Sequence, residues 1–288
     1  MRDLKLLVMV LCLTLMLPAL AVAKGRIMWM TTHWPPLMEL SGQNNQVIGG
    51  QYGNQLKLLQ QHLSKYDHVN MSMTWNRFWH FVKKGERKCN CMAYKNDERK
   101  EFAQFSIPIS FILPNHIVMR KETIKQLGNP LSLSLIDMML DVRFRGLLIK
   151  NRSYSFDVDR ILARYEKESN IDREIIDEQT YIKMLAMKRM DYILEYPFVV
   201  NDTVKKNLPE LEGVFGYVPI TEIAPFYYVY VACPKNEWGK SVIKDINMAL
   251  RKLRPTPEFK NEMSRMFTGE ELEMVMKLYD GHLLKITD

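Results

Sequence analysis

Cys91-Met92-Ala93-Tyr94-Lys95-Asn96-Asp97-Glu98-Arg99-Lys100-Glu101-Phe102-Ala103-Gln104-Phe105-Ser106-Ile107-Pro108 runs from a short apolar segment, through a dense run of charges, into an apolar tail. Residues 89–93 have the composition of a buried strand. Arg99 follows that strand and precedes the Phe-Ser-x-Pro tail. A planar guanidinium offers two parallel N–H donors to a carboxylate, a fork that a lysine ammonium lacks. Arg99 is therefore the residue of this stretch that carries most weight. The competing reading of residues 95–101 is a solvated charged face, the usual fate of such a run.

On both sides of this stretch strand-like and helical patterns alternate. Residues 26–30 read as a strand, followed by the loop Thr31-Thr32-His33-Trp34-Pro35-Pro36. A Gly49-Gly50 turn leads to a helix over 54–64, with Leu56, Leu59 and Leu63 on one face. Residues 69–73 read as a strand and 78–84 as a helix ending at Gly85, a natural helix stop. Beyond Pro108 the expected elements are strands at 111–120, 147–150, 192–194 and 226–233. Helices are expected at 156–167, 181–190, 241–253, 257–267 and 269–278. Such alternation predicts parallel strands with helical crossovers, an α/β fold. Met263, Met266, Met274 and Met276 are read as core.

The N-terminus has the form of a secretory leader. Arg2 and Lys5 precede an apolar run to Leu17, a helix-breaking Pro18, and Ala21-Val22-Ala23, an A-x-A cleavage site. Residues 1–23 are thus expected to be a signal peptide, and no later stretch reaches the ~20 apolar residues of a membrane span. Removing Arg2, Asp3 and Lys5 lowers the formal charge from +7 to +6. The basic residues are dispersed among acids and carry no nucleic-acid motif, so nucleic acid is excluded as a partner. A mild positive field favours anionic ligands instead. Of the cysteines, Cys89, Cys91 and Cys233 remain after cleavage. An oxidising compartment then predicts one disulfide and one free thiol. Cys89 and Cys91 share one face of a strand and are poorly placed to bridge each other, so Cys233 pairs with one of them. No histidine lies at metal-ligand spacing from these cysteines, and neither a metal nor a cofactor is expected.

The segment around Arg99 resembles the signature of the polar-amino-acid type (family 3) of bacterial periplasmic solute-binding proteins, in a less characterised branch. The resemblance spans nearly the whole mature chain and is strongest over 99–108. It implies a two-lobed periplasmic-binding-protein-like fold of type II, with two strand crossovers as the hinge. The first lobe would be discontinuous, 24–110 and 230–288, and the second would be 111–229, with crossovers near 109–113 and 226–230. The resemblance also implies a Cys89–Cys233 disulfide, because it assigns both strands to the first lobe.

It further implies the ligand site. Arg99 grips a ligand carboxylate, Trp34 stacks on the ligand from a proline-stiffened loop, and Tyr94 holds it beside the arginine. Arg77, ahead of a helix, is a further candidate. In the second lobe, Arg152, Ser153 and Tyr154 lie in Asn151-Arg152-Ser153-Tyr154-Ser155, between a strand and a helix start whose free N–H groups favour anions. A plain serine cap at Ser155 is the alternative. The chain departs from the family pattern at Asp191-Tyr192-Ile193-Leu194-Glu195-Tyr196-Pro197. Tyr196 stands where the family places the acid that holds a ligand ammonium, and Glu195 is one residue early. Neighbouring strand residues face opposite ways, so an α-amino ligand is in question.

The implied function is capture of a small carboxylate-bearing, amino-acid-like solute in the periplasm for an ABC importer, by a monomer that is not an enzyme. A ligand-sensing receptor that signals to a sensor protein is the alternative. A dehydratase-like enzyme on the same fold would need an acid or base, and Glu195 and His33 are its only candidates.

Overall fold

The computed structural model describes residues 25–42, 45–150 and 152–287; the expected leader and Asn151 lie outside the described residues. In chain order the strands are β1 (Gly25–Thr31), β2 (Glu39–Leu40), β3 (Val47–Gly49), β4 (Tyr66–Ser72), β5 (Lys88–Ala93), β6 (Ala103–Ile112), β7 (His116–Arg120), β8 (Gly146–Ile149), β9 (Ile171–Glu174), β10 (Tyr192–Glu195), β11 (Phe215–Pro219) and β12 (Tyr227–Pro234). Two five-stranded sheets carry the molecule, ordered β4-β1-β5-β12-β6 and β11-β7-β10-β8-β9. In the first, β1, β4 and β5 are parallel and β12 is antiparallel to its neighbours. In the second, β8, β9 and β10 are parallel and β7 is antiparallel to β10 and β11. This is the two-lobed α/β architecture expected, one lobe on each sheet.

Helices cover both faces of each sheet, as parallel strands require. On the first, Gln51–His62 and Glu237–Leu253 bury Leu56, Leu59, Val242, Ile246 and Leu250 against Trp29, Val231 and Ile107, while Trp75–Lys83 buries Phe78 and Val82 on the other face. On the second, Phe156–Tyr165 packs against one face through Val158 and Leu162, and Glu178–Ala186 and Pro197–Asn207 against the other through Ile182, Leu185 and Val200. Each fully buried aliphatic side chain of this kind contributes about 1.5–3 kcal/mol.

Three differences from the sequence reading have physical causes. The apolar run 111–120 is two strands, because the chain breaks at Pro114, which cannot donate to a ladder, and leaves one sheet for the other. β9 reads Ile-Asp-Arg-Glu and escaped notice because it is a charged edge strand, the usual protection of a sheet edge. The helix Pro197–Asn207 starts directly after β10 with proline in its first turn, a position proline favours. At Gly50, φ is 85° and a Cβ would lie 2.6 Å from the Leu37 carbonyl carbon, so only glycine fits the start of the helix Gln51–His62.

The chain passes between the sheets twice, from β6 to β7 and from β11 to β12. β6 and β12 pair antiparallel with two register shifts, and both are largely buried. Cys89 of β5 and Cys233 of β12 form a disulfide with a Cα–Cα separation of 4.4 Å across 144 residues. The span between them holds the whole second sheet. Cys91 is a buried free thiol whose pKa burial pushes up to about 12. Peptide mapping under native, non-reducing conditions should therefore recover a Cys89–Cys233 linked peptide and leave Cys91 unalkylated until the protein is denatured. Replacing both bridged cysteines by serine should cost about 2–5 kcal/mol of unfolding free energy. Alkylation of native Cys91, or an unchanged denaturation midpoint in the double variant, contradicts this account.

Candidate functional site

The parallel strands of both sheets end at one place. After β1 come Thr32, His33 and Trp34; after β4 come Trp75, Asn76 and Trp79; after β5 come Tyr94 and Arg99. From the second sheet come Arg152 and Ser153 after β8, Glu178 after β9, and Tyr196 after β10. All of these residues line one cavity of about 330 Å³, with Tyr52, Met92, Ile112 and Val229. Carboxyl ends of parallel strands are where open α/β sheets form binding crevices, because the loops there diverge.

Arg99 lies in the short helix Asp97–Lys100, whose N-cap Asn96 accepts from the Arg99 backbone N–H at 2.9 Å. Its guanidinium donates one N–H to the Tyr94 carbonyl at 3.0 Å and stands 4.5 Å from the centre of the Trp79 ring. Burial lowers its pKa from the usual arginine value, opposed by the nearby Glu98 and Asp159 carboxylates. No arginine is deprotonated by such a shift at neutral pH. Among the described residues Arg99 has no ion-pair partner, so a cation held over an indole faces the cavity with donors to spare.

Aromatic rings make much of the wall. Trp34 and Tyr196 meet at 5.8 Å between ring centres, and Tyr94 Oη and Tyr196 Oη are 3.2 Å apart. These contacts join the two lobes across the cavity. Burial raises the pKa of both phenols, so both remain neutral donors and acceptors. Trp75 stacks on Trp79 at 6.3 Å.

The second sheet contributes a different electrostatic element. Glu195 is fully buried, and both of its oxygens accept from the Arg152 guanidinium, one at 2.6 Å. The same carboxylate accepts the Tyr196 backbone N–H at 2.9 Å. Burial disfavours the Arg152 cation, but Glu195 outweighs it and holds the arginine pKa well above its usual value. Arg152 and Glu195 are thus engaged with each other.

Of the residues expected to meet a ligand, Arg99, Trp34, Tyr94, Arg152, Ser153 and Tyr196 are brought to the cavity wall. Three are not. Arg77 is exposed, with its guanidinium 5.4 Å from the Phe81 ring centre. Tyr154 is buried in the second core, its hydroxyl accepting the Ile149 N–H at 2.7 Å. Glu195 lies behind the wall. The helix start at Ser155 is also occupied from within: Ser155 caps Val158, and Asp159 accepts from Ser153 Oγ and, at 2.9 Å, from the Tyr154 N–H. Trp75, Trp79, Tyr52 and Glu178 escaped the sequence reading. Trp75 and Trp79 sit just past a recognised strand, where the crevice rule would have found them. Glu178 follows β9, which was not recognised. Among the described residues no group of three or more His, Cys, Asp or Glu side chains could hold a metal ion.

No family model matches the chain, and no curated protein matches it. Solved structures do, at low identity. A putative L-cystine ABC transporter protein from Listeria monocytogenes superposes with a TM-score of 0.62 at 15% identity, covering 84% of this chain and 95% of that one. A Salmonella typhimurium periplasmic binding protein with high arginine specificity gives 0.60 at 14%, covering 85% and 100%. A histidine kinase sensor domain with similarity to periplasmic binding proteins gives 0.64 at 13%, covering 85% and 96%. The likeness shows the fold: these neighbours are periplasmic-binding-protein-like, two-lobed and of nearly the same extent.

Arg152→Met should leave the buried Glu195 carboxylate unmatched and destabilise the protein by about 3–5 kcal/mol, read from urea unfolding. Replacing the pair together by Leu and Met should cost much less. A single variant within about 1 kcal/mol of wild type contradicts the engagement described here.

Proposed function

We propose that this chain is a periplasmic solute-binding protein that captures a small carboxylate-bearing, amino-acid-like solute for an ABC importer. Arg99 carries the reading: a half-buried guanidinium at the carboxyl end of β5, without an ion-pair partner among the described residues, on the wall of a cavity shared by both lobes. The lobes are 24–110 with 230–288, and 111–229. They close on the solute about the crossovers next to β6 and β12, and Trp34, Tyr94, Tyr196, Arg152 and Ser153 contact it. Such closure shuts out water and strengthens the clamp. Secretion through residues 1–23 and a monomeric state belong to the same reading. No helix among the described residues is long and apolar enough to cross a membrane.

The same capture could report to a sensor protein, a second reading favoured by the likeness to a histidine kinase sensor domain. Capture of a permease or of a kinase ectodomain by the ligand-loaded protein separates the two. A dehydratase-like reaction is disfavoured by its own candidates. Glu195 is held by Arg152, and His33 Nδ1 accepts the Leu40 N–H at 3.2 Å.

A bound solute at about 100 times its dissociation constant adds roughly 2.7 kcal/mol to the folded state, a melting shift on the order of 5–10 °C for a chain of this size. A metabolite screen should find carboxylates among the stabilising compounds, and each should be recovered chemically unchanged. Arg99→Ala should fold and lose about 2–5 kcal/mol of binding to such a hit. Calorimetry giving wild-type affinity for the variant would overturn the clamp, and consumption of the hit over many turnovers would overturn the binder.

A further inference from the structure

The helix Pro197–Asn207 serves two cores. Val200 and Val204 pack in the core of the second lobe, whereas Phe198 and Val199, with Tyr196 just before the helix, are buried in the core cluster of the first. Phe198 is 4% exposed and Val199 1%. Tyr196 meets the Trp34 ring at 5.8 Å between centres, lies 3.2 Å from Tyr94 Oη through its hydroxyl, and stacks on Phe198 at 5.2 Å with the planes 19° apart. Phe198 in turn meets Phe267 edge-on at 6.0 Å. Trp34, Tyr94 and Phe267 all belong to the first lobe. At the other end of the helix, Lys206 reaches Glu39 of the first lobe at 3.3 Å. The seam parts two hollows: Tyr196 lines the cavity that holds Arg99, and Phe198 lines a second crevice of about 820 Å³ with Pro36 and Met266.

Each of these contacts joins side chains of the chain itself, so the strength of the seam does not depend on what the cavity holds. Hinging the lobes apart would uncover Trp34, Tyr196, Phe198, Val199 and Phe267 together. One aromatic side chain buries roughly 150–250 Å², and a soluble monomer seldom shows a contiguous apolar patch larger than roughly a few hundred Å². Domains that meet through a small polar interface move freely against each other, whereas a large apolar interface holds them. Stacked and edge-on ring pairs also fix a relative orientation, which a featureless apolar contact does not. Tyr196 stands where the resemblance expects an acid directed at a ligand. This chain has there a ring that binds its own other lobe.

We propose that this aromatic seam latches the lobes together by itself, so that the closed form is the resting state of the chain and a solute enters through a minor open form. A solute then does not have to supply the free energy of closure, and its rate of entry is set by how often the seam parts. The inference rests on the two-lobed fold and on the seam, and on neither the identity of the solute nor its destination.

The test is small-angle X-ray scattering on the chain from Lys24 to its end, unfolded in guanidinium without reductant and refolded by dialysis, so that no solute is carried over from the cells. Wild type should scatter as the closed structure, with an open fraction below about one tenth. Phe198→Asp and, from the opposite lobe, Phe267→Asp should each make the open form the majority and raise the radius of gyration, with the far-ultraviolet circular dichroism unchanged. If an aspartate variant fails to fold, Phe198→Ala takes its place, with a smaller rise in the same direction. Val200→Ala, in the same helix but packed in the second core, should lower the melting temperature and leave the radius of gyration as it is, which separates a latch from a general loss of stability. An open majority in wild type overturns the proposal, as does unchanged scattering in the folded seam variants. An open wild type would leave the binding reading standing, with closure then driven by the solute.

Discussion

The antiparallel pairing of β6 and β12 is the constraint on which the rest of this molecule depends. These are the strands that carry the chain into and out of the second sheet, and both are largely buried. Because they lie side by side in the first sheet, the second sheet is an insertion whose two ends emerge together. The Cys89–Cys233 bridge fastens β12 to β5 at this junction. Its effect is greatest on the unfolded chain, where it closes a loop containing the entire second lobe. Once the two ends are fixed, the parallel strands of both sheets deliver their carboxyl ends to a common space. No single loop makes the cavity.

The cavity then sorts its charges by depth. Glu195 lies behind the wall, so its charge is tolerable only with the two-pronged partner Arg152 supplies. Removing Arg152 leaves the Glu195 carboxylate unmatched where water cannot compensate. Arg99 is shallower. Its one backbone acceptor, the Tyr94 carbonyl, fixes its direction without neutralising it, and the Trp79 ring supports it from one side. The two arginines that the sequence placed in the same role are therefore different in kind: one is neutralised inside its own lobe, the other has no ion-pair partner among the described residues. The aromatic contacts of Tyr196 with Trp34 and Tyr94 bridge the lobes, and being neutral they join the halves without competing for either charge.

What the sequence determined by itself was whatever rests on local chemistry and period. The alternation of strand and helix, the strand before Arg99 and the apolar faces of the helices follow from residue type and spacing, and each was legible; the two lobes were what the resemblance implied. Arg99 as a candidate carboxylate clamp came from the resemblance, which the chemistry of a guanidinium suits. Tertiary structure decided what depends on depth and on partners from elsewhere in the chain. Glu195 and Arg152 lie 43 residues apart, and nothing local shows that each consumes the other. Tyr154 and Ser153 are neighbours, yet one faces the core and the other the cavity. β9 is too charged to announce itself, and so Glu178 stayed invisible until the strand before it placed it at the same rim as Arg99. A side chain's chemistry is written in the sequence, but whether that chemistry is free to act depends on which distant group has already met it.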